Sequence, residues 1–228
     1  MPLTFVPAYD GRIAMSRSSA GTPDRVLTML PAGDCELVQI MDKALADAVL
    51  RSGPWLACRP GCDQCCSGVF RIGPLDAERL REGLRKAIPS KAAAILRRVR
   101  EVVERLTPDF PGDVHTGILF EDERSLEHFE DFANDEVCPV LDPVTGTCDL
   151  YAHRPMTCRT FGPPVRTEDG GFGVCELCFI GAPEEAVAAA ELHMPSAELE
   201  AALEAQTGIS GTTIVAYALL ADLATLER

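Results

Sequence analysis

Leu37, Ile40, Met41, Leu45, Ala48 and Val49 fall on one face at helical spacing. They predict a helix from Cys35 to about Ser52, capped by Asp34 and ended by Gly53-Pro54. Asp76 caps a second predicted helix running to about Ile88. Pro89 breaks it, and Ser90 caps a third that reaches Leu106, with Leu96, Val99, Val103 and Leu106 as its apolar stripe. A short helix is expected after Ser125. Beyond Pro183 the chain is rich in Ala, Glu and Leu, and helices over Glu184 to His193, Ala197 to Gln206 and Thr213 to Glu227 fit the pattern. Strand signals are few. Val69 to Ile72 is a short candidate stopped by Gly73-Pro74. Val165 to Thr167 and Phe172 to Val174 flank Glu168-Asp169-Gly170-Gly171 as a hairpin. The predicted fold class is therefore α+β and mainly helical, with a small cysteine-rich, metal-organised region containing short strands. Residues 1–33 read as a flexible N-terminal arm, 34–182 as a cysteine-cluster metal-binding domain, and 183–228 as C-terminal helices packed on it.

Composition narrows the partners. The 228 residues carry a formal net charge of −14, which argues against non-specific nucleic-acid binding, where Lys and Arg must replace phosphate counterions. It argues equally against an anionic membrane surface. Arg97, Arg98 and Arg100 are read as a solvated helix face, and the acids between Glu121 and Asp131 as a solvated surface, since the spacing of a calcium loop is missing. With one Trp, three Tyr and nine Phe, the core has to be built mostly from Leu, Val, Ile and Ala. Met1 to Phe5 lacks the basic segment and apolar core of a secretory signal, and no run of about 18 apolar residues is present. A cytoplasmic setting is expected, in which thiols stay reduced.

Ten cysteines then become informative, because nine of them are clustered. The groups are Cys58-x3-Cys62-x2-Cys65-Cys66, Cys138-x9-Cys148-x9-Cys158 and Cys175-x2-Cys178. Short spacings in Gly- and Pro-rich loops let one turn of backbone carry two sulfurs to about 2.3 Å from a common metal, as tetrahedral zinc requires. They serve iron–sulfur clusters equally well. Gly61 and Gly68 give the backbone freedom to wrap. Cys35, alone on a helix, is read as a packed apolar residue. A disulfide framework would require export, for which the sequence carries no signal.

Cys65 and Cys66 are adjacent, and in extended backbone neighbouring side chains point to opposite sides. One metal is then not expected to take both without a strained local turn. Two sites are stereochemically open; one four-cysteine site with spare thiols is the simpler expectation. Four thiolates around Zn²⁺ leave a net charge of about −2, so nearby cations should offset it. Arg59, Arg71, Arg154 and Arg159 lie close in sequence, Arg159 directly after Cys158. His153 is a candidate ligand, and Tyr151 could donate its hydroxyl to a sulfur.

The first cysteine group with Val69-Phe70-Arg71-Ile72, and then Cys138-Pro139-Val140-Leu141 with Cys148-x2-Tyr151-x2-Arg154-Pro155-x2-Cys158-Arg159-x-Phe161, resembles the YkgJ-like cysteine cluster family over about residues 55–180. That resemblance implies a zinc- or iron-chelating domain in which Cys58, Cys62, Cys65, Cys66, Cys138, Cys148 and Cys158 are metal ligands or their near neighbours. A related domain in flagellin lysine methylases implies, as an alternative, an iron–sulfur-dependent enzyme with a methyl-transfer or redox role. Cys58-x3-Cys62-x2-Cys65 also has the spacing of a radical S-adenosylmethionine motif, but Gln64 stands where an aromatic is usual and the strand–helix alternation of a partial barrel is missing. The expected cofactor is an iron–sulfur cluster, [4Fe–4S] slightly ahead, or Zn²⁺. The expected site is the nine clustered cysteines, Cys175 and Cys178 included, with Arg154, Arg159 and Tyr151 beside them.

Overall fold

The computed structural model describes residues 30–59, 61–167, 170–194 and 197–226; residues 1–29 of the predicted 1–33 arm, Glu168-Asp169 of the predicted hairpin turn and Glu227 of the last predicted helix lie outside them. Eight helices and three two-stranded antiparallel hairpins make up the regular structure of the described residues. The α+β, mainly helical reading is thus what the chain adopts. The helices are α1 (Asp34–Ser52), α2 (Pro74–Lys86), α3 (Pro89–Leu106), α4 (Glu123–Asp131), α5 (Met156–Thr160), α6 (Glu184–Ala189), α7 (Ala197–Thr207) and α8 (Val215–Leu226). The hairpins pair β1 (Gly112–Asp113) with β2 (Ile118–Leu119), β3 (Leu141–Asp142) with β4 (Thr147–Cys148), and β5 (Val165–Arg166) with β6 (Phe172–Gly173).

Helix starts differ from the sequence expectation for one reason: proline here opens helices. Pro74 and Pro89 occupy the first helical turn of α2 and α3, where a missing N–H costs nothing. The preceding residues, Gly73 and Ile88, are extended as a following proline requires. Asp76 therefore lies inside the first turn of α2 rather than capping it, and Asp34 is itself the first residue of α1, with Gly33 at the cap position. Both carboxylates turn inward to Arg79, whose Nε donates to Asp34 at 2.8 Å and whose Nη1 donates to Asp76 at 2.5 Å. Asp122 does cap α4, accepting from the Ser125 N–H at 3.1 Å. Val69 to Ile72 does not form a strand. It has no partner strand, and only Ile72 pairs, with Thr213. α6 stops at Ala189 because Leu192 turns into the core and donates its N–H to the Pro164 carbonyl at 2.7 Å.

The core is continuous in α2, α3 and α8. Leu80, Leu84, Ile95, Val99, Val215 and Leu219 pack together, with Val140 and Leu150 from the cysteine region on their edge. Phe110, Leu119, Phe132, Ile214 and Tyr217 extend it beneath the first hairpin. A second layer, Leu37, Met41, Ala48, Leu75, Met156, Leu192 and Leu203, joins α1, α5 and α7. C-terminal α8 therefore helps build the central core. No helix among the described residues is long and apolar enough to cross a membrane.

Between these layers lies a buried charge cluster. Removing one partner of a buried pair strands the other, so Arg79→Leu should lower unfolding free energy by about 3–5 kcal/mol in urea titration. Glu200 on α7 faces the same cluster. Burial, with Asp76, Glu204 and Asp34 nearby and only Arg79 opposing, lifts its carboxyl from 4.5 to about 7. Its stabilising proton is fully present below pH 4.5 and is lost as pH rises through about 7. Glu200→Gln should flatten the fall in stability across that window, as read by melting temperature against pH.

Candidate metal centre

Cysteine-rich loops need the backbone to reverse within a few residues, and glycine makes this possible at two points. Gly61 (φ +89°) and Gly68 (φ +83°) lie in the left-handed region and bracket a 3-10 turn over Gln64–Cys66. In that turn the Cys66 N–H donates to Asp63 at 2.8 Å. The extended geometry that would separate Cys65 from Cys66 is absent. The turn lets the Cys66 thiol donate to the Cys65 sulfur, which holds Cys65 down to about 7 and Cys66 far above the usual thiol range.

A backbone joint carries this turn to the second cysteine group. Cys138 N–H donates to the Cys66 carbonyl at 2.8 Å, Ser67 bridges Val137, and Gly68 N–H donates to Glu136 at 2.9 Å. Cys148 enters through the β3–β4 hairpin, opposite Leu141, whose own N–H bonds the Cys138 carbonyl at 3.0 Å. Asp142 shapes the reversal by accepting from Val144 N–H at 3.0 Å and the Thr145 hydroxyl at 2.8 Å. Cys158 sits on α5, whose first N–H, on Met156, donates to Asp76 at 2.9 Å. Burial, with Cys148 and Cys65 close by, pushes Cys138 up to about 12. Cys158 is raised well above the usual thiol range by burial and by Cys138, Cys65 and Cys148. Cys148 is raised by burial. Cys65, Cys66, Cys138, Cys148 and Cys158 thus form one inner group, drawn from three chain segments.

The remaining four form an outer group. Cys58 reaches the surface, yet its side chain comes up against Gly162, where a Cβ would stand 3.4 Å from its Cβ. Burial of its sulfur, then the nearby Cys62, Cys65, Cys178 and Cys175, raise Cys58 to about 11. Cys175 is raised by burial and by its neighbour Cys178, to which it is hydrogen-bonded. Gln64, between Cys62 and Cys65, donates to Glu176, between Cys175 and Cys178. All ten cysteines are free thiols, and Cys35 stands apart, exposed on α1 rather than packed, accepting from Gln39 at 3.3 Å. Among the described residues no three His, Cys, Asp or Glu side chains already form a ready-made ion site.

Cations around the sulfurs differ from the sequence expectation. Arg154 lies over the Tyr151 ring at 3.7 Å, bonds the Tyr151 carbonyl at 3.0 Å, and its charge lowers both Cys65 and Cys148. Tyr151 is 62% exposed and serves as the platform for that guanidinium. Arg159, only 2% exposed, donates to the Arg154 carbonyl at 3.2 Å, the Ala152 carbonyl at 2.7 Å and Asp42. It fastens this loop to α1. Arg71 bonds Thr212 at 2.9 Å, and His153 packs its Cβ and ring against Gly83. Sequence reasoning missed Arg98. Its side chain is 16% exposed against 71% for Arg97, it donates to the Pro139 carbonyl at 2.8 Å and pairs with Asp149 at 2.6 Å, and its charge lowers Cys138. Its position beside Val99 on the border of the apolar stripe was the available signal.

Soft thiols in this density, gathered on a helical scaffold with two guanidiniums beside them, define a cysteine-rich metal-chelating domain. The sequence profile of the CxxCxxCC family, described as a "putative zinc- or iron-chelating domain", matches residues 57–176, and the chain belongs to that family. No curated protein and no solved structure matches the chain.

The turn itself is open to test. A Cβ on Gly68 would meet the Asn134 carbonyl oxygen at 3.0 Å while the residue keeps a left-handed φ. Gly68→Ala should cost about 1–2 kcal/mol from backbone conformation alone, and it should reduce the metal retained after gel filtration, measured by elemental analysis.

Proposed function

We propose that this chain is a cytoplasmic metal protein whose inner thiols hold an iron–sulfur cluster, [4Fe–4S] in preference to zinc. The observation that carries the reading is the joint between Cys66 and Cys138, a 2.8 Å backbone hydrogen bond that brings the first and second cysteine groups into one locality. Cys138 and Cys148 pack against the Leu80–Val99 core, so the sulfurs face apolar surroundings on one side. Structural zinc and a [4Fe–4S] cluster each take four cysteine thiolates, so the five inner thiols can fill either with one to spare. Such a cluster supplies electron transfer or structural binding energy when bound. Arg98 and Arg154 offset the negative charge that the thiolates bring. Cys65, held near 7, gives up its proton most readily. The other thiols lose their protons to solvent as the metal binds, so loading should weaken as pH falls.

A non-catalytic role is preferred over methyl transfer. The cavity that touches Cys138 has about 20 Å³ of room, on the order of one water. The net charge of −14 argues against nucleic acid as partner.

Protein purified without air should be brown and contain iron and acid-labile sulfide in equal amounts. Cys138→Ser and Cys158→Ser should each lose the colour. Zinc without sulfide would reject the cluster but keep the chelating role; no bound metal at all would reject both. Chelation should also disorder the cysteine lobe, seen as a change in circular dichroism, since a structural site can supply on the order of 10 kcal/mol.

A further inference from the structure

The outer thiols adjoin the inner ones but are held by backbone turns and an apolar cluster of their own. Cys62 N–H donates to the Arg59 carbonyl at 2.9 Å, and Cys178 N–H donates to the Cys175 carbonyl at 2.8 Å. The second bond closes a four-residue turn with a cysteine at each end, and the first brings Cys62 back toward the chain just after Cys58. Two contacts bring the turns face to face. Phe179 N–H donates to the Trp55 carbonyl at 2.8 Å, and Gln64 donates to Glu176. Cys175 and Cys178 pack with Leu56, Ala57 and Phe179 in a small apolar cluster of their own. Cys138 and Cys148 pack instead on the core of α2, α3 and α8. Cys178, nearly fully buried, lies beyond the 57–176 family match.

We propose that Cys58, Cys62, Cys175 and Cys178 form a second, separate tetrathiolate site for a zinc ion, which clamps the turn after β6 to the loop after α1. The inference rests on the reading that the clustered thiols bind metal, and it divides them into two centres. Two short Cys pairs from distant segments are the usual donor set of a closed structural zinc site. Four ligands leave no open position, so the outer site has a structural role. Trp55 is the single tryptophan of the chain and its carbonyl is bonded inside the clamp, so its fluorescence reports closure.

The test compares the full chain with two double variants, Cys175→Ser/Cys178→Ser and Cys138→Ser/Cys158→Ser, purified without air. Zinc, iron and sulfide per chain are measured, together with Trp55 emission. Wild type should carry about one zinc bound by four sulfurs, seen by zinc-edge X-ray absorption, in addition to the inner centre. The Cys175/Cys178 variant should lose that zinc, shift Trp55 emission to the red and keep the inner centre. The Cys138/Cys158 variant should do the reverse. If wild type holds a single centre only, or if both variants lose the same metal, the two-site division is overturned while metal binding stands. If neither variant can be folded, the wild-type zinc count and its sulfur coordination decide alone. Wild type without any metal would overturn the chelating function itself.

Discussion

The cysteine region depends on one backbone hydrogen bond. Cys138 N–H to the Cys66 carbonyl, flanked by the Ser67–Val137 bridge and the Gly68–Glu136 bond, fixes the first cysteine turn to the start of the second group. The two segments lie far apart in sequence, and this joint brings the Cys65–Cys66 turn to Cys138. Gly61 and Gly68 permit the turn, and the β3–β4 hairpin and α5 add Cys148 and Cys158 to the same locality. The helical core supplies the rigid floor. Asp76 links that floor to the metal region through the first N–H of α5, and through Arg79 it is tied to Asp34 of α1.

Electrostatics follow from the same arrangement. Buried thiols beside other thiols hold their protons, and Cys138, Cys158 and Cys58 are all pushed upward for that reason. Only Cys65 is held low, by the Cys66 thiol that donates to it. A bound cation reverses this balance, because thiolate is the form that ligates. Arg98, paired with Asp149, and Arg154, stacked on Tyr151, lie beside the inner group, whereas Arg159 bonds Asp42 and two carbonyls. The same residue type thus serves charge compensation in two positions and loop anchoring in a third.

Much of the fold was legible because amphipathic periodicity reports burial directly. Leu37, Met41 and Ala48, and Val99 and Leu106, are core residues as their spacing predicts. Helix starts were misread where a local signal served a distant partner. Asp34 and Asp76 look like caps, yet Arg79 claims them, and Pro89 looks like a breaker, yet it opens α3. The β1–β2 and β3–β4 hairpins have two-residue strands, too short for alternation to register. The cysteine spacing identified the chemistry. It did not reveal that Cys65 and Cys66 share a local turn, nor that Arg98 reaches Pro139, which depends on contact between distant segments.

The central claim, that distant thiols share an inorganic centre, is tested most directly by alkylating the native, anaerobically prepared protein and locating the label by mass spectrometry. Cys35 alone should react at once, and the nine clustered cysteines should become reactive as sets when metal is removed. Labelling of the clustered cysteines one by one, at rates indifferent to metal removal, would contradict the account.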